Sequence, residues 1–267
     1  MNKHKSYSIV ALCKLFGISR QSWYAHKKRK EKVILENEIL LKLVLEQRKL
    51  MPRLGAKKLL FLLKEDIKNH GIKLGRDKFF TFLGANNLLI HKKRAYTKTT
   101  NSFHRFYKYP NLITDFVANG SNQLYVSDIT YISLEQGFAY LSLITDAYSR
   151  KIVGYKLHKN LSKEGCIYAL QMALSNLSQD TKNTIHHSDR GSQYCSDEYV
   201  KMLEINRFAI SMTESGDPRE NPIAERVNGI LKDEFNLDAN FDNFKAAELS
   251  AVSYMEIIRN KKLIIVR

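Results

Sequence analysis

Three acidic residues stand where a free carboxylate is out of place. Asp128 interrupts the apolar, β-branched run Val126-Ser127-Asp128-Ile129-Thr130-Tyr131. Asp189 closes a second run, Thr184-Ile185-His186-His187-Ser188, and Glu225 lies in the first turns of a segment with helical periodicity. Between Asp189 and Glu225 lie 35 residues, and Lys232 follows Glu225 by seven. Clustered carboxylates repel one another unless cations hold them together, and hard oxygen ligands select Mg²⁺ or Mn²⁺. Two such ions, roughly 3.5–4 Å apart, can activate an attacking oxygen and stabilise a leaving one in in-line phosphoryl displacement. Taken singly, each acid has an ordinary reading: an edge-strand residue, a turn former before Arg190-Gly191, a helix-surface glutamate. The joint spacing is what carries the chemistry. His186 and His187 suggest a metal by type, but read rather as strand-end residues beside the acids.

The acids can meet only if a helix packs back across a sheet that carries the two aspartates. Residues 123–134, 138–145 and 151–157 have strand composition, joined by turns at Gln136-Gly137 and Tyr148-Ser149-Arg150. Ser162 can cap a helix whose Ile167, Leu170, Leu174 and Leu177 share one face. A short strand at 183–187, a helix at 197–206, a strand at 208–212 and a Gly/Pro loop at 215–222 lead to a long final helix. There Asn221 is available as cap, and Pro222 sits in the first turn, where its missing N–H costs nothing. Ile223, Val227, Ile230 and Leu231 make an apolar stripe, which leaves Glu225, Asn228 and Lys232 on the polar face. Asp146, ending the second strand, suits a structural role. Antiparallel strands followed by alternating helix and strand indicate an α/β fold.

Charge separates the halves. The whole chain carries 43 Lys+Arg against 27 Asp+Glu, a net +16. Residues 1–120 hold 26 and 8 of these (+18), and residues 121–267 hold 17 and 19 (−2). A generically soluble surface can be basic, but this density fits a polyanion better, because each neutralised phosphate releases a counterion. Residues 8–30 read as two short helices about a turn, with Gly17 as stop and Ser19 as cap; the second runs from Arg20-Gln21-Ser22 to Lys27-Lys28-Arg29-Lys30. A helix-turn-helix places such polar N-terminal side chains at base edges. An ordinary helical hairpin with Trp23 and Tyr24 in its core gives the same pattern. Further helices are expected at 33–50, 56–69 and 76–86, with Lys57 and Lys58 among their basic positions. His91-Lys92-Lys93-Arg94 opens an aperiodic basic arm. The expected organisation is a helix-turn-helix-like segment at 1–32, a helical DNA-binding region at 33–90, a basic linker at 91–119 and a catalytic core at 120–267. Three cysteines without C-x-x-C spacing exclude a thiol zinc site and a disulfide framework, and fit a reduced, cytoplasmic setting. No apolar run is long enough to span a membrane.

The motifs S-D-I-T-Y-I at 127–132, H-S-D-R-G-S-Q-Y at 187–194 and E-N-P-I-A-E-R-V-N-G-I-L-K at 220–232 resemble those of bacterial insertion-sequence transposases. The match is to the second-reading-frame (OrfB-type) proteins of the IS-three group, whose core is similar to that of retroviral integrases. The resemblance extends from about Leu50 to Asn243 and includes P-R-L-G-A-K-K-L at 52–59. It implies an RNase H-like core, a five-stranded mixed sheet flanked by helices; the reading of residues 8–30 above adds a small all-α helix-turn-helix-type region before it. It implies a catalytic and metal-binding triad of Asp128, Asp189 and Glu225 with two Mg²⁺ (or Mn²⁺) ions, and Lys232 on the DNA near the reacting end. Arg190 and Asn228 beside the acids, and Arg20, Gln21, Lys57, Lys58, Lys92, Lys93 and Arg94 in the basic half, are the other expected DNA contacts. The implied reaction is cleavage at the element's end by water, then attack of the freed 3′-OH on a second phosphodiester. The implied partners are double-stranded DNA, further copies of the chain and a protein from an upstream frame. The family's usual Tyr-Asn…Arg-x-His segment is absent, so the chain is expected to stop short of the family's end. Two other readings remain open: a nuclease that hydrolyses without joining, and an inactive DNA-binding regulator of transposition.

Overall fold

The computed structural model describes residues 8–90, 105–177, 184–214 and 220–260. These fall into two compact units: the described residues of Met1–Lys49 and Leu54–His91 form one, and those of Leu50–Arg53 and Lys92–Arg267 the other.

The first unit is helical. Helix α1 (Ile9–Leu15) is capped by Ser8, whose Oγ accepts from the Ala11 N–H, and ends before Gly17 at φ +64°. Helix α2 (Arg20–Leu50) begins where the Ser19 hydroxyl accepts from the Ser22 N–H. The sequence predicts a break near residue 31, but α2 runs unbroken for 31 residues. No Gly, Pro or Asn interrupts residues 27–36, and ion pairs Lys27–Glu31 and Lys32–Glu36 bridge the expected boundary at i,i+4 spacing. Conversely, the single helix expected over 56–69 is two, α3 (Ala56–Leu62) and α4 (Lys64–Asn69), joined at Leu63. Helix α5 (Arg76–Ala85) closes at Asn86, followed by Asn87 at φ +54°. The unit buries Leu40, Val44, Leu59, Leu63, Phe79 and Leu83. Trp23 is half-buried and Tyr24 exposed, so they do not form the core of a hairpin.

The second unit is built on five strands: β1 (Leu124–Ser133), β2 (Phe138–Asp146), β3 (Ile152–His158), β4 (Ile185–Ser188) and β5 (Ala209–Met212). Their order is β3-β2-β1-β4-β5; β1, β2 and β3 are antiparallel, whereas β4 runs parallel to β1 and β5 parallel to β4. This is the mixed sheet that the resemblance implies. Gly137 turns β1 into β2 at φ +85°. Asp146, buried at the end of β2, accepts backbone N–H bonds from Asn122, Tyr148 and Ser149 and so fixes the next turn.

Side chains of β1 alternate between two covered faces. Tyr125 packs with residues of α6 (Lys163–Ser175) and α7 (Asp197–Ile205). Leu124 and Val126 pack on the opposite face with Ala224 of α8 (Pro222–Asp233). Helix α6 turns the expected Leu170 inward, but small residues fill most of its inner face. It buries Gly165, Cys166, Ala169, Leu170 and Ala173, while Ile167, Leu174 and Leu177 pack from its flanks. The reason is close approach: a Cβ on Gly154 of β3 would lie 2.0 Å from the Ala169 carbonyl oxygen, so only small residues fit between strand and helix. The long final helix expected after Pro222 is likewise two helices. The chain leaves α8, passes Asn236 at φ +59°, and begins α9 (Phe244–Asn260).

Candidate active site

Asp128 belongs to the half of β1 that faces α8. One of its oxygens, Oδ1, accepts the N–H of Ile129 at 2.8 Å, and Oδ2 accepts the Asn228 side-chain amide of α8 at 2.6 Å. Parallel pairing sets Val126 against His187. Asp128 on β1 and Asp189 just past the end of the adjacent β4 therefore each lie two residues beyond one registered pair. The side chain of Asp189 folds back, its Oδ1 accepting the Gly191 N–H at 3.0 Å. Glu225 sits exposed on the first turn of α8, with Asn228 about one turn further and Lys232 two.

Electrostatics show that the three acids share one neighbourhood. Burial pushes the Asp128 carboxyl up to about 8, and the negative charges of Asp189 and then Glu225 push the same way, against the Ile129 N–H and Lys232. Lys232 is itself lowered by burial, although Asp238, Asp128 and Glu225 favour its charged form. Among the described residues, no three His, Cys, Asp or Glu side chains are gathered closely enough to hold a metal ion. Both Asp128 oxygens and one of Asp189 are instead engaged by N–H donors. The donor chemistry nevertheless suits a hard divalent cation: carboxylate oxygens, one of them unfavourable when ionised without a counter-charge.

The histidines are no part of such a donor set. His186 is buried between β1 and α7, its Nε2 within 2.7 Å of Ser127 Oγ and 2.9 Å of the Tyr199 hydroxyl. Burial lowers it to about 3, and His187, whose Nδ1 meets Ser211 Oγ at 2.9 Å, to about 4. Both are neutral at physiological pH. Glu220, six residues from Glu214, accepts that residue's backbone N–H.

Two asparagines depart from their expected roles. Asn221 stands at the start of α8 but makes no side-chain cap bond; its amide donates to the Ser127 carbonyl at 3.1 Å and ties the helix to β1. Asn228, expected on DNA, is buried with its amide on Asp128. A helical wheel gives the face on which Asn228 lies, but not what that face meets. Of the other expected contacts, Arg190 is half-buried beside Asp189, Lys57 is exposed and Lys58 half-buried on α3, and Arg20 and Gln21 are exposed at the start of α2. Lys92, Lys93 and Arg94 lie outside the described residues. Sequence reading missed the Ser127–His186–Tyr199 network. Its only signal is a polar serine and histidine at inward-facing strand positions.

Residues 118–218 match the integrase core domain family. Together with the similarity of the whole chain to insertion-element proteins, this match makes the chain a polynucleotidyl transferase of the transposase and integrase class. It is 32% identical over 254 residues to the insertion element IS600 uncharacterized 31 kDa protein of Shigella sonnei, covering 94% of this chain and 92% of that protein. It is 26% identical over 270 residues to the transposase InsF for insertion sequence IS3A of Escherichia coli (strain K12), covering 98% and 91%. The chain belongs to the insertion-sequence transposases of the IS-three group. Among solved structures it is similar to the HTLV-2 integrase catalytic core domain in complex with magnesium, at 19% identity and a TM-score of 0.41, covering 52% of this chain and 88% of that one. Among the described residues, no helix is long and apolar enough to cross a membrane.

Proposed function

We propose that Asp128, Asp189 and Glu225 are the catalytic carboxylates of a DNA strand-transfer reaction. The observation that carries this reading is convergence: the register of β1 and β4 brings Asp128 and Asp189 level, α8 packs Asn228 onto Asp128, and Asp189 and Glu225 both act on an Asp128 that burial already disfavours as an anion. Such an arrangement is costly for the fold and useful for chemistry on a phosphodiester. When bound, two Mg²⁺ or Mn²⁺ ions held by these carboxylates would neutralise them and activate the attacking oxygen. Asn228 holds Asp128 through one oxygen, which fixes its orientation, and Lys232 lies on the same helix to meet a phosphate near the reacting end. In the first step a water oxygen attacks phosphorus and the strand's 3′-oxygen leaves, taking up a proton. In the second, that 3′-OH attacks a target phosphodiester, loses its proton and releases the target strand's own 3′-oxygen.

The basic N-terminal half holds the double-stranded DNA in this reading. Arg20 and Gln21 are candidates for base edges, Lys57, Lys58, Lys92, Lys93, Arg94 and Arg190 for phosphates. Joining two element ends requires more than one protomer, and an upstream-frame protein is a candidate partner; the setting is cytoplasmic. Incubation of the chain with its element's terminal DNA and Mg²⁺ tests this directly. Joined products are expected. Nicked products alone would make it a nuclease, and a gel shift without cleavage a DNA-binding regulator.

A further inference from the structure

The segment Arg105-Phe106-Tyr107-Lys108-Tyr109 places three aromatic rings and two cations in five residues, just before the strands of the second unit. Tyr107 is 72% exposed and Phe106 37%; Arg105 and Lys108 are exposed too. Tyr109 is different: it is half-buried and packs against the α6–α7 core. Its ring buttresses that of Tyr107 edge-to-face, with centroids 5.0 Å apart. The strip is therefore a ring held out in water on an anchored base, flanked by positive charge.

Its location ties it to the acids. The Pro110 carbonyl, next after Tyr109, accepts the Met212 N–H at 3.3 Å, and the Ser211 hydroxyl accepts the Leu112 N–H at 2.8 Å. Met212 is paired with Ser188, the residue before Asp189, and the Thr213 N–H continues that ladder to the Ser188 carbonyl. The strip is thus fastened one strand away from Asp189, at the carboxyl ends of the parallel strands, where α/β sheets open their ligand crevices. The charges of Lys108 and Arg190 both act on Cys195, six residues past Asp189, which places them about the same edge.

We infer that Arg105–Tyr109 is a stacking platform for unpaired bases of single-stranded DNA beside the carboxylates, with Tyr107 as its principal ring. Exposed aromatic faces interleaved with cations are the chemistry that binds single strands, because every base offers a π-face and every nucleotide a phosphate. Base pairs inside a duplex, stacked on both faces, offer no free face to Tyr107. The platform thus takes the DNA chemistry proposed above as its frame and adds the state of the strand: opened rather than duplex at the reacting end. Phe106 widens the apolar surface, and Arg105 and Lys108 hold the flanking phosphates.

The test uses the full chain in EDTA, so that no cleavage intervenes, with fluorescent oligo(dT) and a duplex of equal length read by anisotropy. Tyr107→Ala is expected to weaken oligo(dT) binding about five-fold or more, with duplex binding unchanged within two-fold and the same melting temperature. Tyr107→Phe, which keeps the ring face, is expected to restore oligo(dT) binding. Unchanged oligo(dT) binding by Tyr107→Ala, an equal loss on both DNAs, or a Tyr107→Phe as damaged as the alanine variant would each overturn the inference. The carboxylate proposal is read separately, by metal-dependent cleavage, so failure here leaves it standing.

Discussion

The Asp128 carboxyl couples chemistry to stability, and the sign of that coupling is fixed. Its folded-state value, about 8, lies above the ordinary carboxylate range. Its contribution to stability is therefore fully present below about pH 4 and is lost as pH rises through 8. His186 acts oppositely, since its lowered value favours the folded state above the ordinary histidine range, but it is common to the chain and its variants. In EDTA, the melting temperature of the parent chain minus that of Asp128→Asn is expected to fall between pH 4 and 8, and Mg²⁺ to restore it at pH 8. Parallel melting curves would contradict the coupling. Asn228 gives a second prediction. Because its amide holds Asp128, Asn228→Ala is expected to slow strand transfer about 10–100-fold while duplex affinity by anisotropy stays unchanged; a loss confined to affinity would return Asn228 to the DNA. The acids themselves were legible from residue type and spacing. The asparagines were not, because a polar side chain on a helix has many partners in sequence space and only packing selects Ser127 and Asp128.

At the scale of elements, tight packing decides what pattern alone leaves open. The strands of the second unit were legible within a residue or two because alternation and turn residues agree. The inward face of α6 was legible only in part: Leu170 of the apolar stripe is buried as expected, yet Gly154 admits the helix backbone so closely that Ala169 and Ala173 share the interior with it. Gly154→Ala is accordingly expected to cost about 2–3 kcal/mol, seen as a lower urea midpoint, with α6 displaced from β3. An unchanged midpoint would mean that the contact relaxes freely. The same lesson holds for α2. Its two apparent segments are one because residues 27–36 contain no helix breaker, and the exposed Lys–Glu pairs at i,i+4 spacing add a little to the same end. Asn221 links this scale to the site, since its bond to the Ser127 carbonyl sets α8 against the strand that carries Asp128.

For the molecule as a whole, charge distribution and chemistry divide along the chain. The +18 of residues 1–120 suits a grip on DNA, and the near-neutral remainder contains the acids that DNA chemistry uses. If Lys57 and Lys58 bind phosphates, replacing both with Gln is expected to reduce the slope of log affinity against log salt by about 2, measured on duplex DNA. An unchanged slope would move the grip elsewhere in the basic half. The central claim is that three carboxylates act together in strand transfer, and single-turnover transfer of pre-cleaved terminal DNA in Mg²⁺ tests it most directly. Joined product is expected from the parent chain and none from Asp128→Asn, Asp189→Asn or Glu225→Gln, all three still folded and still binding DNA. Full strand transfer by Glu225→Gln would contradict it.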